Sequence, residues 1–121
     1  MKWISKTVRS ERKRLARAAR RFLEQPTQEH LHDVRTTGRR LRSLLEDVSD
    51  LVCEPKLQRR VKRAAAITDA ARDAAVIFAL LNSSCDENER ANAARLLEEL
   101  AKKERQATRD ACRRLRRLDL G

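Results

Sequence analysis

The sequence predicts an all-α protein, an antiparallel four-helix bundle of long amphipathic helices. The 121 residues include only two glycines and two prolines, too few for the frequent turns of a β-sandwich or a βαβ array. Hydrophobic residues make up 40% of the chain, and they recur at steps of three and four, the period of an amphipathic helix. This length is typical of a single domain, so we interpret residues 1–121 as one helical domain.

The first two helices are defined by a proline break and a regular apolar repeat. The first is predicted from about Lys2 to Glu24, and Pro26 ends it. Thr27 is a suitable N-cap for the second helix, which we place from about Gln28 to Val52. The apolar line of the second helix is Leu31, Val34, Gly38, Leu41, Leu45, Val48 and Val52.

The third and fourth helices follow two further breaks. Pro55 ends the second connection, and the third helix is predicted from about Lys56 to Leu81. Residues 82–85 form the next break. Asp86, followed three residues later by a glutamate, has the spacing of a capping box and begins a fourth helix that reaches about Leu118. Four such helices with short connections pack as an antiparallel bundle.

The charge of the chain points to an anionic partner. There are 29 Lys and Arg against 18 Asp and Glu, a net charge of +11, and residues 1–25 hold nine of these bases with only two acids. A field of this strength favours nucleic acid, a phosphate polymer or an anionic membrane. No apolar run approaches the ~18 residues of a membrane span, and the first residues lack the apolar stretch that is typical of a signal peptide. We therefore expect a cytoplasmic protein without a membrane partner.

The composition argues against a metal, a cofactor and catalysis. Gly38 and Gly121 are the two glycines, so a Gly-rich phosphate loop cannot be written. His30 and His32 are two residues apart, which on a helix turns them to different faces. The cysteines show neither CxxC spacing nor a nearby histidine cluster, which excludes a typical zinc site or disulfide framework. They are Cys53, Cys85 and Cys112.

The second helix carries a stripe of cationic groups beside its apolar line. At about 100° per residue, Arg42, Arg35, Arg39 and His32 fall in one sector roughly 80° wide, whereas Arg40 points away from it. We find no acid three or four residues away on this stripe to neutralise it. Like charges at this spacing cost helix stability, which indicates that something anionic meets them.

The chemistry of the stripe suits phosphate. Arginine presents a rigid, permanently charged fork to phosphate oxygens, and histidine adds a donor whose charge rises near an anion. The alternative interpretation is that these arginines are solvated or pair with acids of the fourth helix.

Two neighbouring helices carry further cations, which we expect to form one basic groove together with this stripe. On the first helix, Lys2, Lys6, Arg9, Lys13 and Arg20 share a broad sector, with Arg12 nearer the core. On the third helix, the cations are Arg59, Arg60, Lys62 and Arg63.

Two motifs resemble the CHAD family, the conserved-histidine α-helical domains. The family's signature helix is similar to His32-x-x-Arg35-x-x-x-Arg39-Arg40-x-Arg42. The family's Arg-Asp-x-x-Val segment on the following helix is similar to Arg72-Asp73-Ala74-Ala75-Val76. Lys62 lies about ten positions before that segment, where the family usually has a basic residue. In pattern, the resemblance covers roughly residues 1–85.

The resemblance implies a helical domain that binds inorganic polyphosphate through a basic surface or channel, without catalysis of its own. By position, it implies that the binding residues are His32, Arg35, Arg39, Arg40 and Lys62. The helical geometry adds Arg42 and four cations of the first helix, which are Arg9, Arg12, Lys13 and Arg20.

Two departures from the family pattern matter. Asp69 stands where the family often has a small residue. Members of the family are usually about twice as long, with two helical halves that each carry a histidine helix, whereas this chain has one. This chain is therefore either a single-half variant that pairs with itself or a fragment. Because a small alanine-rich core also leaves a domain marginal, we expect a homodimer.

Two other functions compete with polyphosphate binding. An RNA- or DNA-binding bundle would need only placed cations to contact a duplex backbone. Single-strand recognition is less favoured, because it uses aromatic platforms and the chain has one Trp, two Phe and no Tyr. A phosphatase or a metal-dependent phosphoryl transferase would need a metal-ligand cluster or a nucleophile with its base, and neither is evident.

Overall fold

The structure, a computed structural model, describes residues 2–120 and confirms the all-α prediction. Helix α1 spans Lys2–Glu24, α2 spans Gln28–Asp47, α3 spans Pro55–Ser84 and α4 spans Glu87–Arg117. The short connections between them reverse the chain direction each time, as expected for an antiparallel bundle. Within residues 2–120, no helix has the length and apolar character needed to cross a membrane.

The order of the helices around the bundle decides which surface residues can meet. Helix α1 packs along α2, α2 along α3 and α3 along α4, while α4 returns to α1 over a shorter stretch. Helix α2 therefore lies between α1 and α3. Grooves form between α2 and each of its two neighbours, on different flanks of the helix.

The core is apolar and follows the predicted stripes. Its largest fully buried side chains are Phe22, Leu15, Leu31, Leu41, Leu45, Val34 and Val61, together with the polar Thr68. Thr68 satisfies its hydroxyl by donating to the carbonyl oxygen of Ala64 at 2.9 Å. Burial of these side chains supplies the hydrophobic stabilisation that holds the four amphipathic faces together.

The predicted N-terminal caps of α2 and α4 are both present. The Thr27 hydroxyl accepts from the backbone N–H of His30 at 3.2 Å. At the start of α4, the Asp86 carboxylate accepts from the N–H of Glu89 at 2.7 Å, and the Glu89 carboxylate accepts from the N–H of Asp86 at 3.4 Å. These bonds satisfy backbone donors that have no partner inside the helix.

Helix α2 ends earlier than the apolar repeat predicts, at Asp47 instead of Val52. Its last turn contains Glu46 and Asp47 and no basic residue, so negative charge meets the negative end of the helix dipole. The chain continues in turns, where the N–H groups of Leu51 and Val52 donate to the carbonyl of Val48. The apolar repeat persists there because Val48 and Val52 are still half-buried without being helical.

Helix α3 is longer than predicted and ends at Ser84 instead of Leu81. The hydroxyls of Ser83 and Ser84 both donate to the carbonyl oxygen of Leu80, at 3.2 and 2.6 Å. Serines often mark the end of a helix. Here their hydroxyls supply hydrogen-bond donors to a backbone carbonyl in the last turns of α3.

The second hairpin projects beyond the first. Helices α3 and α4 have 30 and 31 residues, against 23 and 20 in α1 and α2. The fully buried positions of α3 end at Ala71, and those of α4 begin only at Ala111. We call residues 74–100, the distal part of this hairpin, the hairpin tip.

Candidate functional site

A groove between α2 and α3 contains the arginine stripe predicted from the sequence. It encloses a cavity of about 230 Å³. Arg35, Arg39 and Arg42 line it from α2, one turn apart, and Gly38 lies between them. The α3 side consists of Val61, Ala64, Ala65, Thr68 and Asp69. We call this feature the α2–α3 groove.

Arg35 is held in place by three acceptors of α3. Its Nη1 donates to the Asp69 carboxylate at 2.9 Å and to the Thr68 hydroxyl at 3.0 Å, and it lies 3.4 Å from the Ala65 carbonyl oxygen. The Arg35 side chain is 22% exposed, whereas that of Asp69 is 58% exposed. Arg35 is therefore an oriented cation at the edge of the groove, with an exposed carboxylate beside it.

The expectation that no acid neutralises the stripe is wrong for two of its arginines. Arg42 pairs with Glu46, four residues later on the same helix, at 3.3 Å. Arg35 pairs with Asp69 of α3, and not with an acid of the fourth helix. Arg39 is exposed and forms no ion pair among residues 2–120. Glu46 lies one turn after Arg42, and Asp69 lies on α3, so neither acid falls within the stripe that the helical angles of α2 define.

Lys62 continues the groove toward the end of α2. A smaller depression there is lined by Arg42, Glu46, Gln58 and Lys62, and it shares Arg42 with the main cavity. The structure thus brings Arg35, Arg39, Arg42 and Lys62 along one path between the two helices. The family resemblance predicts Lys62 as a binding residue, and the packing of α3 on α2 places it beside Arg42.

The two histidines have different environments. His32 is exposed one turn before Arg35 and does not line the cavity, and its Nε2 lies 3.4 Å from the Thr36 hydroxyl. His30 is half-buried, and its Nδ1 lies 2.7 Å from the carbonyl oxygen of Gln25 in the turn between α1 and α2. His32 is thus available at the outer end of the stripe, whereas His30 supports the turn.

Arg40 lies on the opposite flank of α2, as its helical angle predicts. It belongs to an open surface between α1 and α2 that also contains Thr36, Thr37 and Asp33. The other cations of this surface are Arg14, Arg17 and Arg21. Together with Arg40 they form what we call the α1–α2 arginine patch. The sequence reasoning missed these three arginines, although their spacing of three and four residues places them on one face of α1.

The expected single basic groove, formed by cations of the first three helices, is wrong. Arg12 lies near the start of α3, where Lys56 and Arg60 share its depression and its Nε donates to the Leu120 carbonyl oxygen at 3.4 Å. Arg20 lies in a groove between α1 and α4. The exposed residues Arg9 and Lys13 line neither groove of α2.

The physical reason is the helix order. Because α2 separates α1 from α3 over most of their length, cations of α1 cannot reach the α2–α3 groove, and the predicted binding residues divide among several surfaces.

One thiol has a shifted pKa. Burial raises the pKa of the Cys112 thiol above its ordinary value of 9.0, and the positive charge of Arg116 opposes this shift more weakly. Cys112 is buried, Cys85 is half-buried and Cys53 is exposed. Among residues 2–120, no three His, Cys, Asp or Glu side chains converge in a way that would hold a metal ion.

The family model of the CHAD domain matches residues 2–120, and the chain belongs to this family. The match extends through α4, beyond the residues 1–85 in which motifs could be recognised. Searches among curated proteins and among solved structures find no match to the chain.

Proposed function

We propose that the protein binds inorganic polyphosphate in the α2–α3 groove, without catalysis. The observation that carries the proposal is the row of Arg35, Arg39 and Arg42 along one groove, continued by Lys62. CHAD domains in general bind polyphosphate, which supports the choice of this anion over others.

The geometry of the row suits a polymer with a regularly repeated charge. Arg35 and Arg42 are seven residues apart, or about 10 Å along the helix axis at 1.5 Å per residue. Successive phosphates along this path would accept from successive guanidinium groups, whose planar forks bind phosphate oxygens in pairs. His32 would add a donor at one end of the row and Lys62 a point charge at the other.

The three arginines would take part differently. Arg39 meets the anion without exchanging a partner, because it has no ion pair among residues 2–120. Arg42 would exchange its ion pair with Glu46 for one with a phosphate. Because the Arg42–Glu46 pair is exposed, losing it costs little stability. Arg35 keeps its bond to Thr68 and turns its remaining N–H groups to the phosphate, in competition with Asp69.

The remaining cations contribute to the field around the groove. A long polyphosphate chain that leaves the groove meets a surface with a strong positive excess. We propose that five cations outside the groove make peripheral contacts with the polymer: Arg9, Arg12, Lys13, Arg20 and Arg40. We also propose that the protein is cytoplasmic and forms a homodimer.

Binding to a nucleic acid backbone is the second candidate, and the α1–α2 arginine patch is the observation that favours it. Four arginines on an open surface of two adjacent helices match the needs of duplex phosphates, which are contacted without a concave pocket.

Competition separates the two functions. Labelled long-chain polyphosphate is bound to the protein at fixed ionic strength, and unlabelled polyphosphate or duplex DNA is added at matched phosphate concentration. We expect polyphosphate to displace the probe at much lower concentration than DNA. Equal or better displacement by DNA would contradict the proposal and favour the second candidate.

The absence of catalysis needs its own measurement. The chain length of polyphosphate and the release of phosphate are followed with purified protein, with and without divalent cations. We expect the polymer to remain intact. Turnover that follows the protein through its final purification step would overturn the non-enzymatic part of the proposal.

A further inference from the structure

One polar side chain is buried beside the arginines of the α2–α3 groove. Thr68 of α3 is 0% exposed and lines the cavity of the groove. Within residues 2–120 it is the only buried residue whose side chain contains an oxygen or nitrogen atom. Valine has nearly the same shape and would fill this position without a hydroxyl, whose desolvation costs free energy. Packing alone therefore does not account for the hydroxyl.

The hydroxyl of Thr68 uses its proton within its own helix. It donates to the carbonyl oxygen of Ala64 at 2.9 Å and lies 3.1 Å from that of Ala65. A bond of this kind from threonine to the preceding turn does not stabilise a helix. It does fix the direction of the proton, so that the lone pairs of the oxygen remain free to accept. Nη1 of Arg35 donates to this oxygen at 3.0 Å.

This contact determines which edge of the Arg35 guanidinium group stays free. Nη1 has two N–H groups, and its three acceptors are the Thr68 hydroxyl, the Asp69 carboxylate and the Ala65 carbonyl. Nε and Nη2 of Arg35 have no hydrogen-bond partner within residues 2–120. Two adjacent nitrogens of a guanidinium group form a fork that can donate to two oxygens of one phosphate. The fork of Nε and Nη2 is therefore the one available to a ligand.

We propose that Thr68 is a positioning residue of the α2–α3 groove: its buried hydroxyl holds Nη1 of Arg35, so that the Nε–Nη2 fork is presented to a phosphate of the polymer. The inference rests on the proposed function and deepens it. A free arginine side chain loses much rotamer freedom when it binds a ligand. Because Thr68 orders Arg35 in advance, part of this cost is removed from the binding step.

Thr68 is better suited to this role than Asp69, the other side chain that holds Arg35. The Asp69 side chain is 58% exposed, so water competes for its bond to Arg35. The Thr68 hydroxyl is shielded from water, where a hydrogen bond is electrostatically stronger. Thr68 is also neutral. It orients Arg35 without neutralising the positive charge that attracts the phosphate.

The variant T68V tests the role because it removes the acceptor and keeps the size of the side chain. Affinity for long-chain polyphosphate is measured by isothermal titration calorimetry at fixed ionic strength. We expect T68V to bind about three- to tenfold more weakly than the wild type, the range for loss of one hydrogen bond. T68S restores the hydroxyl and should bind within about twofold of the wild type. An affinity of T68V equal to that of the wild type would overturn the proposal.

Thr7 provides the matched control. Its hydroxyl donates to the carbonyl oxygen of Trp3, four residues earlier, at 2.8 Å, so it makes the same bond to its own helix as Thr68 does. It is exposed on α1, however, and accepts from no arginine within residues 2–120. T7V should bind polyphosphate like the wild type. A loss in T7V as large as that in T68V would contradict a specific role of Thr68.

A double-mutant cycle separates positioning from a general effect on the fold. R35Q removes the guanidinium group through which Thr68 acts. We expect T68V to weaken binding in the wild-type background and to cause no further loss in the R35Q background. Equal losses in the two backgrounds would show that T68V acts through the core and not through Arg35, and would overturn the proposal.

Nuclear magnetic resonance supplies a readout that needs no polyphosphate. Rotation of the Arg35 guanidinium group about its Nε–Cζ bond should be slower than that of Arg39, which has no ion pair within residues 2–120. T68V should accelerate the rotation of Arg35 and leave that of Arg39 unchanged. Equally fast rotation of Arg35 in the wild type and in T68V would overturn the proposal.

Failure of the positioning role can be distinguished from failure of the proposed function. The double variant R39E/R42E tests the groove while Arg35 and Thr68 stay in place. If R39E/R42E loses affinity and T68V does not, the positioning role is overturned and the groove remains the binding site. If both variants bind like the wild type, the proposed function fails, and the positioning role fails with it.

Discussion

At the scale of single residues, the pair formed by Arg35 and Asp69 decides how the groove meets an anion. Asp69 occupies a position near Arg35 that a phosphate oxygen would take, and it is more than half exposed. A carboxylate there weakens binding, because it competes for Arg35 and repels the ligand. Asp69 thus tunes a site whose other members favour anions.

We predict that D69N binds polyphosphate about 1.4- to fivefold more tightly than the wild type, since an exposed ion pair contributes roughly 0.2–1 kcal/mol. Isothermal titration calorimetry measures the change. D110N is the matched control: it also neutralises an acid paired with an arginine, Arg113 at 3.1 Å, but it lies on α4. An affinity of D69N equal to or below that of D110N would show that Asp69 does not compete with the ligand.

The three thiols should differ in reactivity. Cys112 is buried and its pKa is raised, so it holds little thiolate at neutral pH, whereas Cys53 is exposed. We predict that a maleimide labels Cys53 rapidly and Cys112 only on the timescale of unfolding. Mass spectrometry of partially labelled protein identifies the modified sites, and rapid labelling of Cys112 in the folded protein would contradict its burial.

The same pKa shift has a direction for stability. The pKa of Cys112 is higher in the folded protein than in the unfolded chain. The contribution of the neutral, buried thiol to the free energy of unfolding is therefore fully present below pH 9.0, and it is lost as the pH rises through the folded-state pKa. We predict that C112A loses less stability than the wild type between neutral and strongly alkaline pH. Denaturant titrations of both proteins at each pH measure this, and parallel curves would contradict the assignment.

At the scale of the helices, the sequence predicted the four elements and both capping motifs because these depend on local chemistry. The α2 cap at Thr27 and the capping box at Asp86 need only residues within one turn. The end of α2 was misplaced because half-buried Val48 and Val52 prolong the apolar repeat into turns. The periodicity of apolar residues indicates which side chains are buried. Val48 and Val52 remain half-buried after the helical hydrogen bonds have ended, so the periodicity does not mark the end of the helix.

The candidate site was predictable only in part, for a related reason. Helical angles placed Arg35, Arg39 and Arg42 on one flank of α2, and the structure brings them together. The angles could not show that Asp69 of α3 would face Arg35, nor that the cations of α1 would lie beyond reach. Those facts depend on the order of helices around the bundle, which a single helix does not encode.

Gly38 offers a test of the packing between α1 and α2. A Cβ atom at this position would lie 3.8 Å from Leu15 Cδ1, an ordinary van der Waals distance. We predict that G38A is more stable than the wild type by about 0.5–1 kcal/mol, because alanine loses less conformational entropy in a helix interior. Urea denaturation measures the difference, and a less stable G38A would mean that α1 and α2 pack more closely than described.

At the scale of the whole molecule, the groove is one part of a body with a net charge of +11. Binding to a polyanion should therefore release counterions and weaken with salt. If four cations of the α2–α3 groove neutralise phosphates, we predict a slope of about −3 in a plot of log affinity against log salt, at ~0.7 per contact. A slope near zero would contradict electrostatic binding altogether.

The central claim is that the α2–α3 groove, and not the positive charge as a whole, binds polyphosphate. It is tested most directly by charge reversal at two exposed arginines of the groove, R39E/R42E. The matched control is R105E/R109E, which changes the net charge equally at two exposed arginines of α4 outside the groove. Circular dichroism establishes that both variants remain helical.

Affinity for long-chain polyphosphate is then measured for the two variants and the wild type at the same ionic strength. We predict that R39E/R42E binds at least about tenfold more weakly than the wild type, because hydrogen bonds to charged groups contribute about 1.5–3 kcal/mol each. R105E/R109E should stay within about threefold of the wild type, since it changes only the distant field. Equal losses in the two variants would contradict the account, because they would show that net charge alone determines binding.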